Sequence, residues 1–326
     1  MGRRAGRRID ARAVSLAGLL VFVAASVVAV AATGLPLSRE VISLWILSGL
    51  LAVSLADLRG WARGMIFDWL PFLGALFAYD LLRGLVGRNP LFEPHVTPQI
   101  DADRWFFNDI LPTVALQDRF HEAGQLPWYD VAAWAVYLTH FFAVAVIAAA
   151  LWRVARPRFL EFRALILTLT AAAFVTYALF PASPPWMASE DGEIGPVTRV
   201  VGGVWDQLGI EKATALFERG STFSNPVAAI PSLHTAYPVL ILLFFWSRGG
   251  WVRGLCLLYA VAMSLTLIYT GEHYVVDILL GWIYAIAAFA VVTLARRRLA
   301  DRARQKRERE SNPSPQPVPA DLIRLP

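Results

Sequence analysis

Cysteine is almost absent from this 326-residue chain: Cys256 stands alone, inside a hydrophobic run. A single cysteine excludes an intrachain disulfide framework and any cluster of thiolate metal ligands, and in that setting it reads as a small buried apolar group. Lysine is nearly as scarce, at two residues against 28 arginines, a bias that points to a GC-rich bacterial genome. Charged residues make up only 17% of the chain and hydrophobic ones 57%, with a mean hydropathy of +0.51. That balance excludes an ordinary soluble globular domain. Histidine occurs five times, so the placement of each one can be weighed.

What the chain does contain is apolar sequence in runs of bilayer length, roughly 20 residues of helix each. Eight candidate spans fall near 13–33, 41–57, 64–86, 129–152, 161–181, 228–247, 251–270 and 273–296, the second being short. The expected fold is therefore all-α, a polytopic bundle of about eight transmembrane helices. The first run is too long for the apolar part of a cleaved signal and is read as a retained anchor.

Charge orients the bundle. Residues 1–12 carry five arginines, and residues 296–310 carry eight basic residues against three acidic. Such clusters could bind nucleic acid, but at the ends of membrane helices they are better explained by the cytoplasmic face and its anionic lipids. With both termini inside, Arg59 and Arg63, then Arg153, Arg156 and Arg158, then Arg248 all lie in inner segments, as the positive-inside rule requires. The two long connections, 87–128 and 182–227, then lie outside. Segment 104–120 alternates aromatic and polar residues and is expected to lie flat as one amphipathic interfacial helix. The proline-rich segment 181–186 is expected to form a stiff, extended cap. The division expected is a basic N-terminal part with two extra helices (1–60), a six-helix catalytic core (61–297) and a basic, proline-rich, disordered cytoplasmic tail (298–326).

This orientation brings two distant histidines to one membrane face. His234 begins the sixth span and His273 begins the eighth, both at the outer end. His273 and Asp277 are four residues apart, so on a helix they share a face and the carboxylate can orient the imidazole. Gly281 continues that stripe and allows close packing. Pro231 suits the first turn of a helix whose free N–H groups, near Ser232, would attract an anion. A carboxylate-paired histidine, a second histidine and an anion site together describe phosphoryl transfer without a metal. His140 is expected to sit too deep to take part and to serve as a structural hydrogen-bonding group. His95 and His121 show no metal-ligand spacing. Three other classes remain open: a flippase-like transporter of lipid phosphates, a membrane haem protein using paired histidines, and an intramembrane serine protease with Ser232 as nucleophile.

The segments PSLHTA (231–236), GEHYVVDILLG (271–281) and LFPASPPW (179–186) resemble motifs of the type 2 phosphatidic acid phosphatase superfamily, and within it the inositol phosphorylceramide synthase branch. The resemblance covers residues 130–296. It implies a six-helix core with its site at the outer leaflet of a bacterial plasma membrane, no cofactor and no metal. It implies His273 as the nucleophile that becomes a phosphohistidine, Asp277 as its orienting group and His234 as the acid that protonates the leaving alkoxide. The partners implied are membrane lipids, namely a lipid phosphate or phosphodiester substrate and an acceptor that is water or an alcohol.

Two features of the phosphatases are missing. Their first motif, KxxxxxxRP, has no counterpart, and the Ser-Arg pair that opens their third motif is replaced by Thr266 and Leu267. Phosphoryl transfer needs positive charge on the phosphoryl oxygens. Arg83 is the first candidate to supply it, then Arg219 and Lys212, with Ser232 as a further phosphate contact.

Overall fold

The computed structural model describes residues 11–33, 39–88, 91–208 and 225–311, and within them the chain is helical with no β-strand. Arg219 and Lys212 lie outside the described residues, as do residues 1–10 and 312–326. Helix α1 (Ala11–Thr33) and α2 (Arg39–Val53) precede α3 (Leu58–Gly64), which runs through a π-helical turn (Met65–Trp69) into α4 (Leu70–Arg88). Two short helices follow, α5 (Thr97–Phe106) and α6 (Pro112–Phe120), and then the long α7 (Trp128–Val154) and α8 (Arg156–Leu179). After α9 (Pro185–Glu190) and α10 (Val200–Gln207) come α11 (Leu233–Phe245), α12 (Gly250–Tyr269) and α13 (Val275–Ser311).

Each of the eight expected runs falls on a helix, and among the described residues six helices are long and apolar enough to cross a membrane: Ala13–Ala32, Leu58–Gly87, Trp128–Val154, Arg156–Leu179, Gly250–Tyr269 and Val275–Glu308. The chain is an integral membrane protein on that evidence. The other two, α2 with 15 residues and α11 with 13, reach only about 20 Å, short of a hydrocarbon core of about 30 Å. Helix α11 can be short because it is wrapped by protein. Ten of its residues are buried, and it packs on α7, α8, α12 and α13. A helix enclosed in this way is apolar all round. With lipid on the outside as apolar as leucine, side-chain packing and interhelical hydrogen bonds hold it in place. Thr170 with Tyr237 (2.8 Å) and the Tyr177 hydroxyl donating to the Pro231 carbonyl (2.6 Å) are two such bonds.

Three local expectations change. The third span starts at Leu58, because Asp57 caps α3 by accepting the Gly60 N–H at 2.9 Å, so the inner segment 58–63 is helix and not loop. Segment 104–120 is two helices and not one. Asn108 and Asp109 take left-handed backbone conformations (φ 52° and 66°), which their side chains tolerate, and Pro112 starts α6 afresh. The last helix runs to Ser311, through basic residues assigned to the tail, because its arginines and glutamates are good helix formers and pair four apart, as Arg304 and Glu308 do at 2.9 Å.

The connections on the histidine side are knitted together. Gln117 of α6 donates to the carbonyls of Thr198 (2.9 Å) and Tyr269 (2.8 Å) and accepts the Thr198 N–H (2.7 Å). The extended stretch ahead of α9 pairs with two neighbours: Ser183 N–H donates to the His95 carbonyl (2.9 Å), and Ala182 exchanges bonds with Val227 and Ala229. These contacts set a lid of loops and short helices over one end of the bundle.

Candidate active site

The site is assembled at the N-termini of α11 and α13. Ser232 occupies the cap position of α11, and its backbone N–H donates to the Asp277 carbonyl at 3.1 Å, tying the two helix starts together. The close approach depends on Gly281, where an added Cβ would lie 2.5 Å from the Ser232 carbonyl oxygen and 2.7 Å from Thr235 Oγ1. Pro231 precedes the cap and does not belong to the first helical turn, since α11 starts at Leu233.

His273 stands just before α13, and Asp277 lies in its first turn, fully buried. Asp277 Oδ2 accepts the Tyr274 N–H at 3.0 Å and faces His273 Nδ1 at 3.3 Å. This is the four-residue pairing expected from spacing, and it leaves Nε2 as the ring atom for chemistry. The His234 ring lies 5.6 Å from the His273 ring, centroid to centroid. The structure thus brings His234, His273 and Asp277 together from positions up to 43 residues apart.

Asp103 of α5 was not foreseen. It is fully buried and accepts the N–H groups of Val275 and Val276, both at 2.9 Å, capping α13 from outside. Burial pushes its carboxyl above the ordinary carboxylate range, partly offset by the two backbone donors. In sequence it stands one residue before the aromatic, polar segment 104–120, and nothing there singles it out.

His140 corrects an expectation. Its ring lies 4.0 Å from that of His234 and 5.5 Å from that of Tyr237, so it belongs to the histidine cluster. The site is recessed: His140 is 12 residues into α7, about 18 Å along the helix. Counting depth from the start of a span failed because α11 begins below the level at which α7 does.

Two arginines serve the cluster. Arg83 of α4 is half-buried beside Tyr79, its Nε hydrogen has no partner among the described residues, and its charge reaches His234. Arg199, at the start of α10, was missed in sequence because nothing near it forms a motif. It holds Glu272, the neighbour of His273, at 2.7 and 3.3 Å and stacks over Trp186 at 5.0 Å. Burial works against its charge, but the Glu272 carboxylate outweighs this, so Arg199 is held protonated even more firmly than a free arginine. Ser232 Oγ is fully buried and has no hydrogen-bond partner among the described residues, and it bonds to neither histidine.

Residues 101–291 match the PAP2 superfamily, more than half of the chain. The chain belongs to the PAP2 superfamily. It is similar to a phosphoinositol dihydroceramide synthase of Bacteroides thetaiotaomicron, with 31% identity over 140 residues, covering 39% of this chain and 43% of that protein. The chain therefore matches less than half the length of that relative. No solved structure matches. The PAP2 match takes in α5 with Asp103 and ends within α13, so every histidine of the cluster and Arg199 lie inside it, while Arg83 lies before it.

Proposed function

We propose that this protein is a metal-independent phosphotransferase of membrane lipids, working through a phosphohistidine on His273. The observation that carries the reading is His273 Nδ1 at 3.3 Å from the buried Asp277 carboxylate with the His234 ring 5.6 Å away. Asp277 accepts the Nδ1 proton and so presents the Nε2 lone pair to phosphorus. As the N–P bond forms, the bond to the departing alkoxide breaks, and His234 gives that oxygen its proton. In the second half an acceptor hydroxyl attacks phosphorus, His234 takes back a proton, and the P–N bond breaks. Arg83 and Arg199 supply the positive charge that the phosphoryl oxygens need, and Ser232 Oγ donates a further hydrogen bond. Glu272 neutralises Arg199 until a phosphate competes for it.

The substrate in this reading is a lipid phosphate or phosphodiester of the outer leaflet, and both termini are cytoplasmic. Residues 61–297 form the catalytic core, and α1 and α2 are appended to it. A recessed cluster beneath a proline-rich lid suits a headgroup drawn in while its acyl chains stay in the bilayer. The relative's name, which joins a phosphoinositol group to dihydroceramide, favours an alcohol over water as acceptor.

The test is incubation of purified protein with lipid phosphates and phosphoinositides, with and without acceptor alcohols, scoring free phosphate against new lipid. New lipid should dominate when an alcohol is present, activity should survive chelators, and an acid-labile phosphoenzyme should be trapped in the wild type and not in His273→Ala. Full turnover by His273→Ala would sink the mechanism.

A further inference from the structure

The other end of the bundle contains a cavity of about 550 Å³ between α1, the turn joining α2 to α3, and the junction of α7 with α8. It lies far from the histidines: Trp152 and Arg153, in its wall, follow His140 by 12 and 13 residues on one helix, about 18 Å along its axis. Its floor is rigid. Asp68, 1% exposed, is gripped by Arg156 through Nε (2.6 Å) and Nη2 (2.7 Å) and by the Trp152 indole N–H (2.9 Å). Gly64 lets α3 lie against Trp152, since a Cβ there would stand 2.2 Å from the indole ring.

Three groups on the wall remain uncommitted. Arg63 and Arg153 have no carboxylate partner among the described residues. The Trp61 indole nitrogen is shielded from solvent and has no hydrogen-bond partner among them. Asp57, also on the wall, is occupied with capping α3. The cavity therefore presents two arginines around space large enough for a polar headgroup. One wall is α1, of which only 6% is buried, so an acyl chain leaving the cavity meets apolar helix surface.

We propose that this cavity binds the phosphate of an anionic membrane phospholipid, held by Arg63 and Arg153, as a structural or regulatory lipid distinct from any substrate. Arginine is suited to this because its planar fork matches phosphate oxygens, and basic pockets between helices at a membrane face attract such headgroups. The inference does not depend on the chemistry assigned to the histidines.

It is tested by native mass spectrometry of the full chain in detergent, titrated with phosphatidylglycerol, phosphatidylcholine or inorganic phosphate. The expected result is tighter binding of phosphatidylglycerol than of phosphatidylcholine, and a loss of roughly thirtyfold in Arg63→Ala/Arg153→Ala, from about fivefold per arginine near a membrane surface. Arg63→Lys/Arg153→Lys, which keeps the charge and loses the fork, should bind more tightly than the double alanine variant and less tightly than the wild type, and its melting temperature should still rise with the lipid. Should the double alanine variant not fold, Arg153→Ala alone should show the fivefold loss. Unchanged phosphatidylglycerol affinity in the alanine variants would overturn the proposal. So would displacement of the lipid by an equal concentration of inorganic phosphate, which would mark a site for free anions.

Discussion

The two ends of the bundle each contain a buried carboxylate beside basic groups, and they treat it in opposite ways. At the Asp68 end both carboxylate oxygens are occupied, Oδ2 by Arg156 and Trp152 and Oδ1 by Arg156. At the histidine end Asp277 Oδ1, Ser232 Oγ and the Arg83 Nε hydrogen have no partner among the described residues, although all three atoms are shielded from solvent. A buried polar atom without a partner is expensive, and a fold that tolerates several at one place keeps them for a ligand. The saturated carboxylate holds helices together, and the unsaturated one fits the orienting role proposed for it.

The sharpest way to break this contrast is substitution at the histidine end. His273→Ala should abolish lipid phosphotransfer, and Asp277→Asn should lower kcat by roughly 10²- to 10⁴-fold, as loss of an orienting or proton-transferring group does. Both variants should melt close to the wild type. A strongly lowered melting temperature in Asp277→Asn would mean that its carboxylate is structural, like that of Asp68.

Gly281→Ala should fall between the two classes. The added methyl group meets the Ser232 carbonyl at 2.5 Å, a backbone atom that cannot swing away. Overpacking of that kind costs about 1–3 kcal/mol, and because it pushes α11 from α13 it should also reduce turnover. Thermal unfolding and kinetics on the same preparation would show whether both fall.

Arg156→Ala is the mirror experiment. Removing it takes away two of the three hydrogen bonds to the Asp68 carboxylate and leaves the Trp152 bond. The melting temperature should drop while kcat of the folded fraction stays within about twofold, since the change lies far from the cluster. A large loss of kcat at unchanged stability would erase the distinction between the ends.

The smallest effect is expected from pH. Asp103 has its carboxyl raised by burial, so the native state binds its proton more tightly than the unfolded chain does. Its contribution to stability is therefore greatest in acid and declines as pH rises from the ordinary carboxylate range towards the raised value. Asp103→Asn should flatten that slope in thermal unfolding measured from about pH 4 upwards, and should loosen the start of α13 at neutral pH.

Much of this was legible in sequence for identifiable reasons. The apolar runs had the length of a bilayer, so the helix starts could be placed within about six residues, whereas the last helix continues 15 residues past the expected 296 to Ser311. The His273–Asp277 pair was legible because it is local, four residues apart across the start of α13. His234 was legible through the charge rule and the motif that contains it. Arg199 and Asp103 were not, because each acts on groups 73 or more residues away, Arg199 from a loop and Asp103 from the short helix α5. His140 was misplaced for a related reason: hydropathy gives no relative height for two helices, and here α11 starts beside the middle of α7. The expectation of about eight spans meets six helices of bilayer length among the described residues: α2, expected to be short, and α11 are shorter than a bilayer, and for α11 protein takes the place of lipid.

By itself the sequence determined that the chain is helical and membrane-embedded, because long apolar runs must satisfy their backbone hydrogen bonds internally. It also determined that a carboxylate stands by His273, because four residues of chain at a helix start leave the two side chains within reach of each other. Only the tertiary structure decided that three histidines form one cluster, that Arg83 and Arg199 face it, and that Asp103 holds the helix on which it depends. Those contacts are made by packing between distant segments, and nothing within a single segment encodes the partner it will meet.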